Sequence, residues 1–390
     1  AKKQIEGDTS VFQRARQVVS DERLVIANRA PTLHRWNMTA FKPVLTDGKS
    51  IEVPGIVVSK NFGGDFDGDT FQLHVPVGSK ALEEAKRMTP SASMLKTGYD
   101  TVLNKPDMDM VIGSWLMSKG KGGEQTDLKY DSIDEARKDF RQHKFTYADT
   151  ISVDGKKSTF GMHEVNSILP EDARKYDIEL NSKNIEDWIK DVTTKHSGNL
   201  GLTLADKIKD VGNNYSTTFG YSLGLEDTRV RKDIRDPLVE IAERKMDKKN
   251  PFSIIKEITN AKNEMTKKIE EKLGEDHPLT IATKSGGGKG FSNSAQIIGM
   301  PGIVLDAEDK PIPLSITKSY SEGLDTSSYW AAAHGARGGN IKKSIQSYKP
   351  GWMTKDLMNS IYDTRIYHDN PVDTEGMEYS IDNRKHVMNI

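Results

Sequence analysis

Apolar and polar positions follow two different periods along this chain. Leu24-Val25-Ile26-Ala27, Gly55-Ile56-Val57-Val58 and Phe71-Gln72-Leu73-His74-Val75 are short, apolar and rich in β-branched residues, and each predicts a strand. Helical spacing appears on either side. Residues 1–22 read as a charged helix with Phe12, Ala15, Val18 and Val19 as its apolar face, and Leu82–Met88 reads as another helix. Two longer helices are expected further on. One has Asp236 as its N-cap and Pro237 in its first turn; the next has Asn250 and Pro251 in the same roles. In the second, Ile254, Ile258, Ala261, Met265 and Ile269 share a face, with Lys and Glu between them. Residues 119–175 show neither period. They are polar and rich in Gly, Lys and Asp, as in Lys119-Gly120-Lys121-Gly122-Gly123, and read as an insertion or loop region.

Composition narrows the classes. A chain of 390 residues buries a sizeable core and suits two or three domains. Charged residues make up 29% and hydrophobic ones 35%, so much of the surface is polar or faces partners. The net charge of −1 gives no global attraction to nucleic acid, which leaves local patches to do any such binding. The absence of cysteine excludes disulfides and cysteine-based zinc sites, and suits a reducing cytoplasm. No apolar run approaches a membrane span and no signal peptide is visible. The start at Ala1 reads as a processed product, a trimmed chain or a piece of a split protein.

The candidate chemistry centres on Gly63-Gly64-Asp65-Phe66-Asp67-Gly68-Asp69. In extended chain, residues i, i+2 and i+4 share a face, so Asp65, Asp67 and Asp69 converge. Three carboxylates so close keep one another from ionising unless a cation sits among them, and a hard divalent ion, Mg²⁺ most naturally, removes the conflict. An EF-hand loop also begins with alternating aspartates, but it needs Gly at its sixth position and Glu at its twelfth, where this chain has Thr70 and Pro76.

Upstream, Asn28-Arg29-Ala30-Pro31-Thr32-Leu33-His34-Arg35 forms a strand-to-turn segment, and no acid occurs from Leu24 to Thr46. A basic loop one strand from an acidic cluster is what a nucleotide or phosphodiester site needs. Downstream, Gly286-Gly287-Gly288-Lys289-Gly290 is glycine-rich with one lysine, yet Gly290 follows Lys289, so it is not a Walker A loop. Tyr329–Gly339 is followed by a basic stretch with no acid between Asp325 and Asp356, which favours contact with a phosphate backbone. Gly335, Gly338 and Gly339 each cost a helix about 1 kcal/mol relative to alanine. They imply either a bendable helix or two helices with a glycine loop between. His143 and His163 read as surface histidines, because no second His or Cys stands at ligand spacing.

Asn28–Arg35 (NRAPTLHR), Ala40–Leu45, Asp65–Asp69 (DFDGD) and His74-Val75-Pro76 together resemble the catalytic core of the largest subunit, β′, of multisubunit DNA-directed RNA polymerases. The resemblance runs from the first residues to about Leu357 and is thin over 119–197. It implies an α+β fold: a double-psi β-barrel, completed in part by another chain, and then a mostly helical region with a channel-rim helical hairpin and a bridge helix. The implied segments are a barrel region over 1–118, a polar connector over 119–197, and a secondary-channel region with the hairpin over 198–277. A glycine-rich loop region near the nucleotide follows over 278–319, then a bridge helix over 320–357 and a C-terminal segment over 358–390.

By the same resemblance Asp65, Asp67 and Asp69 are catalytic and hold Mg²⁺, Arg29 orients the ribose of the incoming nucleotide, and Lys289 faces its triphosphate. Arg35, His334, Arg337, Lys342 and Lys343 contact nucleic acid. The family has an asparagine two residues before its first metal aspartate. Here Gly63 holds that position, so the nucleotide contact falls either to the nearest asparagine, Asn61, after a backbone shift, or to other groups. Implied partners are a β-type subunit, further β′ pieces supplying clamp and trigger loop, template DNA, nascent RNA, nucleoside triphosphates and a promoter-specificity factor, with no membrane. The arrangement is similar to the split polymerases of jumbo bacteriophages, which implies the cytoplasm of an infected bacterial host or packaging in a virion. The alternatives are an RNA-templated two-barrel polymerase and a non-catalytic scaffold subunit.

Overall fold

A computed structural model describes residues 14, 23–46, 48–58, 60–65, 67–96 and 101–365. The helix expected over 1–22 lies outside the described residues, apart from Arg14. The chain divides into two compact units, Ala1–Tyr221 with Lys284–Gly288, and Ser222–Thr283 with Lys289–Ile390.

In the first unit, β1 (Val25–Asn28) is the central strand of an antiparallel sheet, between β2 (Met38–Phe41) and β3 (Gln72–His74). Ile26 faces Ala40 on one side and His74 on the other. Because β3 runs against β1, the start of β3 lies beside the end of β1, and Asn28 Nδ2 donates to Gln72 Oε1 at 2.9 Å. The register therefore brings the Arg29 turn and the aspartate loop to the same end of the sheet. The expected double-psi barrel is not seen. Among the described residues this sheet and the two-stranded pair β4 (Leu95–Lys96) and β5 (Thr101–Val102) close no barrel. Val44, Leu73, Val75 and Val77 stand exposed around the sheet, which keeps open edges.

Gly55–Val58, expected as a strand, is a single helical turn, α1. Ile56, Val57 and Val58 are all buried, so their apolar run carries no period that separates strand from helix. The Pro54 carbonyl accepts the Val57 N–H at 3.1 Å and closes the turn. Helix α2 (Ser79–Lys86) starts three residues before its expected span. Helix α3 (Asp109–Ser118) is buried on every side from Val111 to Met117.

The region expected as a polar connector is folded. β6 (Gln125–Tyr130) leads through α4 (Ile133–Arg141) to β7 (Thr150–Val153), which lies parallel to β6, and β7 pairs antiparallel with β8 (Lys156–Thr159). Phe140, Phe145 and Phe160 pack beneath them, with ring centroids 4.5–5.9 Å apart. Helix α5 (Phe160–Asn166) follows directly. In α6 (Ser182–Lys195), Ile185, Trp188, Ile189 and Val192 form the buried stripe. Helix α7 (Gly198–Phe219) crosses α3 at a glycine contact: a Cβ at Gly113 would lie 1.9 Å from the Gly212 carbonyl oxygen, and one at Gly212 would lie 2.1 Å from the Met110 oxygen. Neither position has room for alanine.

His143 is exposed as expected, but His163 is not a surface residue. It sits on α5, whose residues are all buried, and is 4% exposed. Burial pushes its pKa down to about 4, so it is neutral in the fold at pH 7. An unfolded histidine titrates near 6.5. Stability from the neutral form is therefore complete above about pH 6.5 and is lost as pH falls toward about 4, by about 3 kcal/mol. Unfolding curves across that window should show a loss in the wild type that His163→Asn lacks; the same slope in both refutes the assignment.

The second unit begins with a helical hairpin. Its first helix, α8 (Lys232–Lys245), starts before the expected Asp236 cap and carries Pro237 inside it. The start is set instead by the Arg231 carbonyl, which accepts from both Ile234 and Arg235 N–H. Its second helix, α9 (Pro251–Leu273), matches the expected cap: Asn250 accepts the Phe252 N–H at 3.0 Å and Pro251 opens the helix. Ile258, Ala261, Met265 and Ile269 pack against Ile234, Leu238 and Ala242. After α10 (Pro278–Ser285), α11 (Phe291–Ile298) adds Phe291, Ala295 and Ile298 to that core. Arg235, buried on α8, is ion-paired with Glu322, just ahead of the last helix.

That helix, α12, runs unbroken over Thr326–Ser360, capped by the Asp325 carboxylate on the Ser328 N–H at 2.9 Å. Of the two alternatives for its glycines, the continuous helix is the one found. Its glycines do different work. A Cβ at Gly335 would lie 3.1 Å from the Leu305 oxygen and one at Gly338 would lie 2.7 Å from the Ala307 nitrogen, while Gly339 faces open space. Two of the three thus let the 304–307 segment press against the helix.

Candidate active site

Three carboxylates meet in the aspartate loop. One oxygen of each of Asp65, Asp67 and Asp69 lies within 4.8 Å of the others. The loop is shaped by its own backbone: Asp65 N–H donates to Asp69 Oδ2 at 3.1 Å and Asp67 N–H to Asp65 Oδ1 at 3.4 Å. Gly63 and Gly68 hold positive φ of 54° and 116°, which suits glycine and strains other residues.

Arg29 reaches this loop from the end of β1. Its Nε and Nη2 donate to the two oxygens of Asp69 at 2.8 and 3.1 Å, and its Nη1 donates to the Phe62 carbonyl at 3.3 Å. Two parallel bonds to one carboxylate are the geometry a guanidinium makes best. Gly64 leaves the space for it, since a Cβ there would lie 3.1 Å from Asp69 Oδ2 and 3.4 Å from Arg29 Cδ.

The electrostatics follow. The Arg29 hydrogen bond holds the Asp69 carboxyl below the usual carboxylate value, helped by the Asp65 N–H. The same bond raises Arg29. Asp67 moves the other way, pushed up first by its hydrogen bond with Asp65 and then by the Asp65 charge. One carboxylate is neutralised by an arginine, and another is crowded by its neighbour. All three offer hard oxygen donors, the set a hard divalent cation takes. Asp69 accepts two bonds from Arg29 and one from the Asp65 N–H, which leaves one of a carboxylate's about four acceptor positions for a metal. A cleft of about 540 Å³ adjoins Asp65 and Asp69, with Ile51, Val53 and Phe71 as its apolar wall and Lys49 beside them.

The other expected site residues lie elsewhere. Asn61 is in the first unit but fully buried; its Nδ2 donates to Thr39 Oγ1 at 3.4 Å and its backbone oxygen accepts from Asn37. Arg35 is exposed, with its guanidinium 4.7 Å from the Trp36 ring centre. Lys289, His334, Arg337, Lys342 and Lys343 belong to the second unit. Lys289 is exposed in the loop before α11. On α12, His334 stacks on Trp330 with centroids 5.5 Å apart, Arg337 and Lys343 are exposed, and Lys342 is ion-paired with Asp309. Sequence reasoning missed the Arg29–Asp69 pair, Lys49 and Asn37. The pair was within reach: Arg29 ends a strand and Asp69 precedes one by three residues, so antiparallel pairing of those strands brings them together.

Residues 1–90, which hold the Arg29 turn and all three aspartates, match the family model of RNA polymerase Rpb1, domain 2. The first part of the chain is thus similar to RNA polymerase subunits of the Rpb1 type. More narrowly, the chain is similar to bacterial β′ subunits along nearly its whole length. It is 29% identical to the DNA-directed RNA polymerase subunit beta' of Moorella thermoacetica, covering 97% of this chain and 34% of that protein. The corresponding protein of Fusobacterium nucleatum is 28% identical, with 97% and 30% covered, and that of Streptomyces coelicolor is 27% identical, with 98% and 33% covered. The chain spans about a third of the length of these relatives. Among the described residues no helix is long and apolar enough to cross a membrane.

Proposed function

We propose that this chain is a catalytic β′-type subunit of a DNA-dependent RNA polymerase, working within a multisubunit assembly. The observation that carries the reading is the convergence of Asp65, Asp67 and Asp69 within 4.8 Å, with Arg29 clamped on Asp69. The reaction is attack of the RNA 3′-hydroxyl on the α-phosphate of a nucleoside triphosphate, with loss of pyrophosphate. Asp65, Asp67 and Asp69 would hold a divalent ion, magnesium most naturally, which would supply the positive charge that lowers the pKa of the attacking hydroxyl. Arg29 fixes the Asp69 carboxylate and keeps it ionised, and it takes the role of orienting a ribose hydroxyl of the incoming nucleotide. Asp67, crowded by Asp65, gains most from a cation. Lys289 offsets triphosphate charge, and the exposed cations Arg337 and Lys343 of α12, as a bridge helix, meet nucleic acid. A β-type subunit and further β′ segments complete the barrel and supply the mobile parts of the cycle.

The test is copurification of the chain with its partners, followed by Mg²⁺-dependent RNA synthesis on a primed DNA template. Asp67→Ala should abolish synthesis while the assembly survives. Unchanged synthesis in that variant refutes the catalytic assignment, and a stable wild-type assembly that makes no RNA supports a scaffold role.

A further inference from the structure

We infer that Asn37 is a positioning residue that fixes the Arg29 turn to the aspartate loop. The inference rests on the reading of Asp65, Asp67 and Asp69 as a metal-holding triad. Asn37 ends the short 3₁₀ turn Arg35–Asn37 and is 2% exposed. Its carboxamide works in two directions. Oδ1 accepts the Leu33 and His34 N–H groups at 3.1 and 2.9 Å, which fixes the turn that follows Arg29. Nδ2 donates to the Asn61 carbonyl at 2.9 Å, which ties that turn to the segment entering the aspartate loop.

The next carbonyl along that segment, Phe62, accepts from Arg29 Nη1. Asn37 and Arg29 therefore grip successive carbonyls of one short stretch, and four residues beyond the first grip the chain reaches Asp65. A second bond braces the same place: Asn61 Nδ2 donates to Thr39 Oγ1, and Thr39 Oγ1 donates to the Trp36 carbonyl at 3.1 Å. Only a side chain that accepts and donates at once makes both Asn37 contacts. Aspartate offers acceptors alone, and serine is too short to span both. The fully buried Asn61 is part of this brace, with its side chain turned into the fold.

When the amide is lost, the turn and the loop are coupled by Arg29 alone, and the aim of its guanidinium on Asp69 loosens. Groups that orient metal ligands through one intermediary alter metal affinity by about ten- to a hundredfold. Asn37 acts through Arg29 and the loop backbone, so the expected change is about tenfold, at the low end of that range.

The experiment uses the copurified assembly and Mn²⁺ as a spectroscopic probe, with binding read by electron paramagnetic resonance and Asp67→Ala as the background. Asn37→Ala and the milder Asn37→Ser should each weaken the Asp67-dependent Mn²⁺ signal about tenfold, and raise the Mg²⁺ needed for half-maximal synthesis by a similar factor. Asn37→Asp keeps both accepted bonds and loses the donated one. A fall in Mn²⁺ affinity there matching Asn37→Ser supports the cross-link between turn and loop; wild-type affinity overturns it. Wild-type Mn²⁺ affinity in an assembled Asn37→Ser overturns the inference alone. If wild type and Asp67→Ala bind Mn²⁺ equally, the triad reading falls and this inference falls with it.

Discussion

Asp69→Asn should cut RNA synthesis by the copurified assembly by about a hundred- to a thousandfold, the range seen when one preorganised electrostatic contact is removed from an active site. Asp69 is the most heavily used of the three carboxylates. It accepts both arms of the Arg29 fork and the Asp65 N–H, and it remains one of the oxygens available to a cation. Asparagine keeps the shape and one acceptor but loses the charge. Its amide N–H₂ then faces the Arg29 guanidinium in either orientation, and in the Oδ2 position the Asp65 N–H as well, donor against donor. Arg29→Lys removes the fork and keeps the positive charge, so it should cost less than Asp69→Asn. The measurement is the single-nucleotide extension rate on a primed template at saturating Mg²⁺. A wild-type rate in Asp69→Asn, or a larger loss in Arg29→Lys, refutes this division of labour.

Glu164→Ala should destabilise the fold of the first unit by about 3–5 kcal/mol. Glu164 lies on α5 with its side chain 8% exposed, and it is held by Arg137 of α4 at 2.6 Å and by Lys207 of α7. Removing it takes from Lys207 and Arg137 the buried carboxylate they share, and leaves Arg137 ion-paired with Asp134 alone. Burial alone raises the Glu164 carboxyl, but the hydrogen bonds from Arg137 and Lys207 outweigh it, so the net displacement is downward from the usual 4.5. The sign follows: this stabilisation is complete above the unfolded carboxylate value and is lost as pH falls through the lower folded value. Hydrogen exchange of the α4, α5 and α7 amides in the assembled protein reads the effect. Unchanged protection in Glu164→Ala means that the triad of charges does not hold these helices together.

Much of the candidate site was legible because it is local. Asp65, Asp67 and Asp69 are two residues apart, and Arg29 belongs to a distinctive eight-residue stretch. The capped helix α9 was legible for the same reason, since Asn250, Pro251 and the apolar stripe all speak within one element. What could not be read depends on distant partners. Phe140, Phe145 and Phe160 are scattered among polar residues and become a core only when β6, β7 and β8 assemble over them. Gly335 and Gly338 look like flexibility in sequence and prove to be close packing, because the 304–307 segment that touches them lies some thirty residues earlier. Asn61, read from its place near the aspartates as a nucleotide contact, is buried because its neighbours Asn37 and Thr39 return across the sheet to meet it. The start of α8 was displaced to Pro237 because proline is usually a first-turn residue, whereas here α8 begins five residues before it.

The proline inside α12 gives that helix a mechanical character. Pro350 has no N–H, so the Gln346 carbonyl is without its usual helical donor and the ladder lacks a rung there. Sharp bends in helices concentrate at such positions, at angles of about 20° or more. The stretch from Pro350 to Ser360 is about 15 Å long at the helical rise. A swing of about 20° at the missing rung carries its tip sideways by about 5 Å, close to the pitch of one helical turn. The described residues beyond Pro350 are exposed, Trp352, Met353 and Leu357 among them. One imino acid thus makes the stretch around Pro350 the weakest part of the backbone ladder of α12.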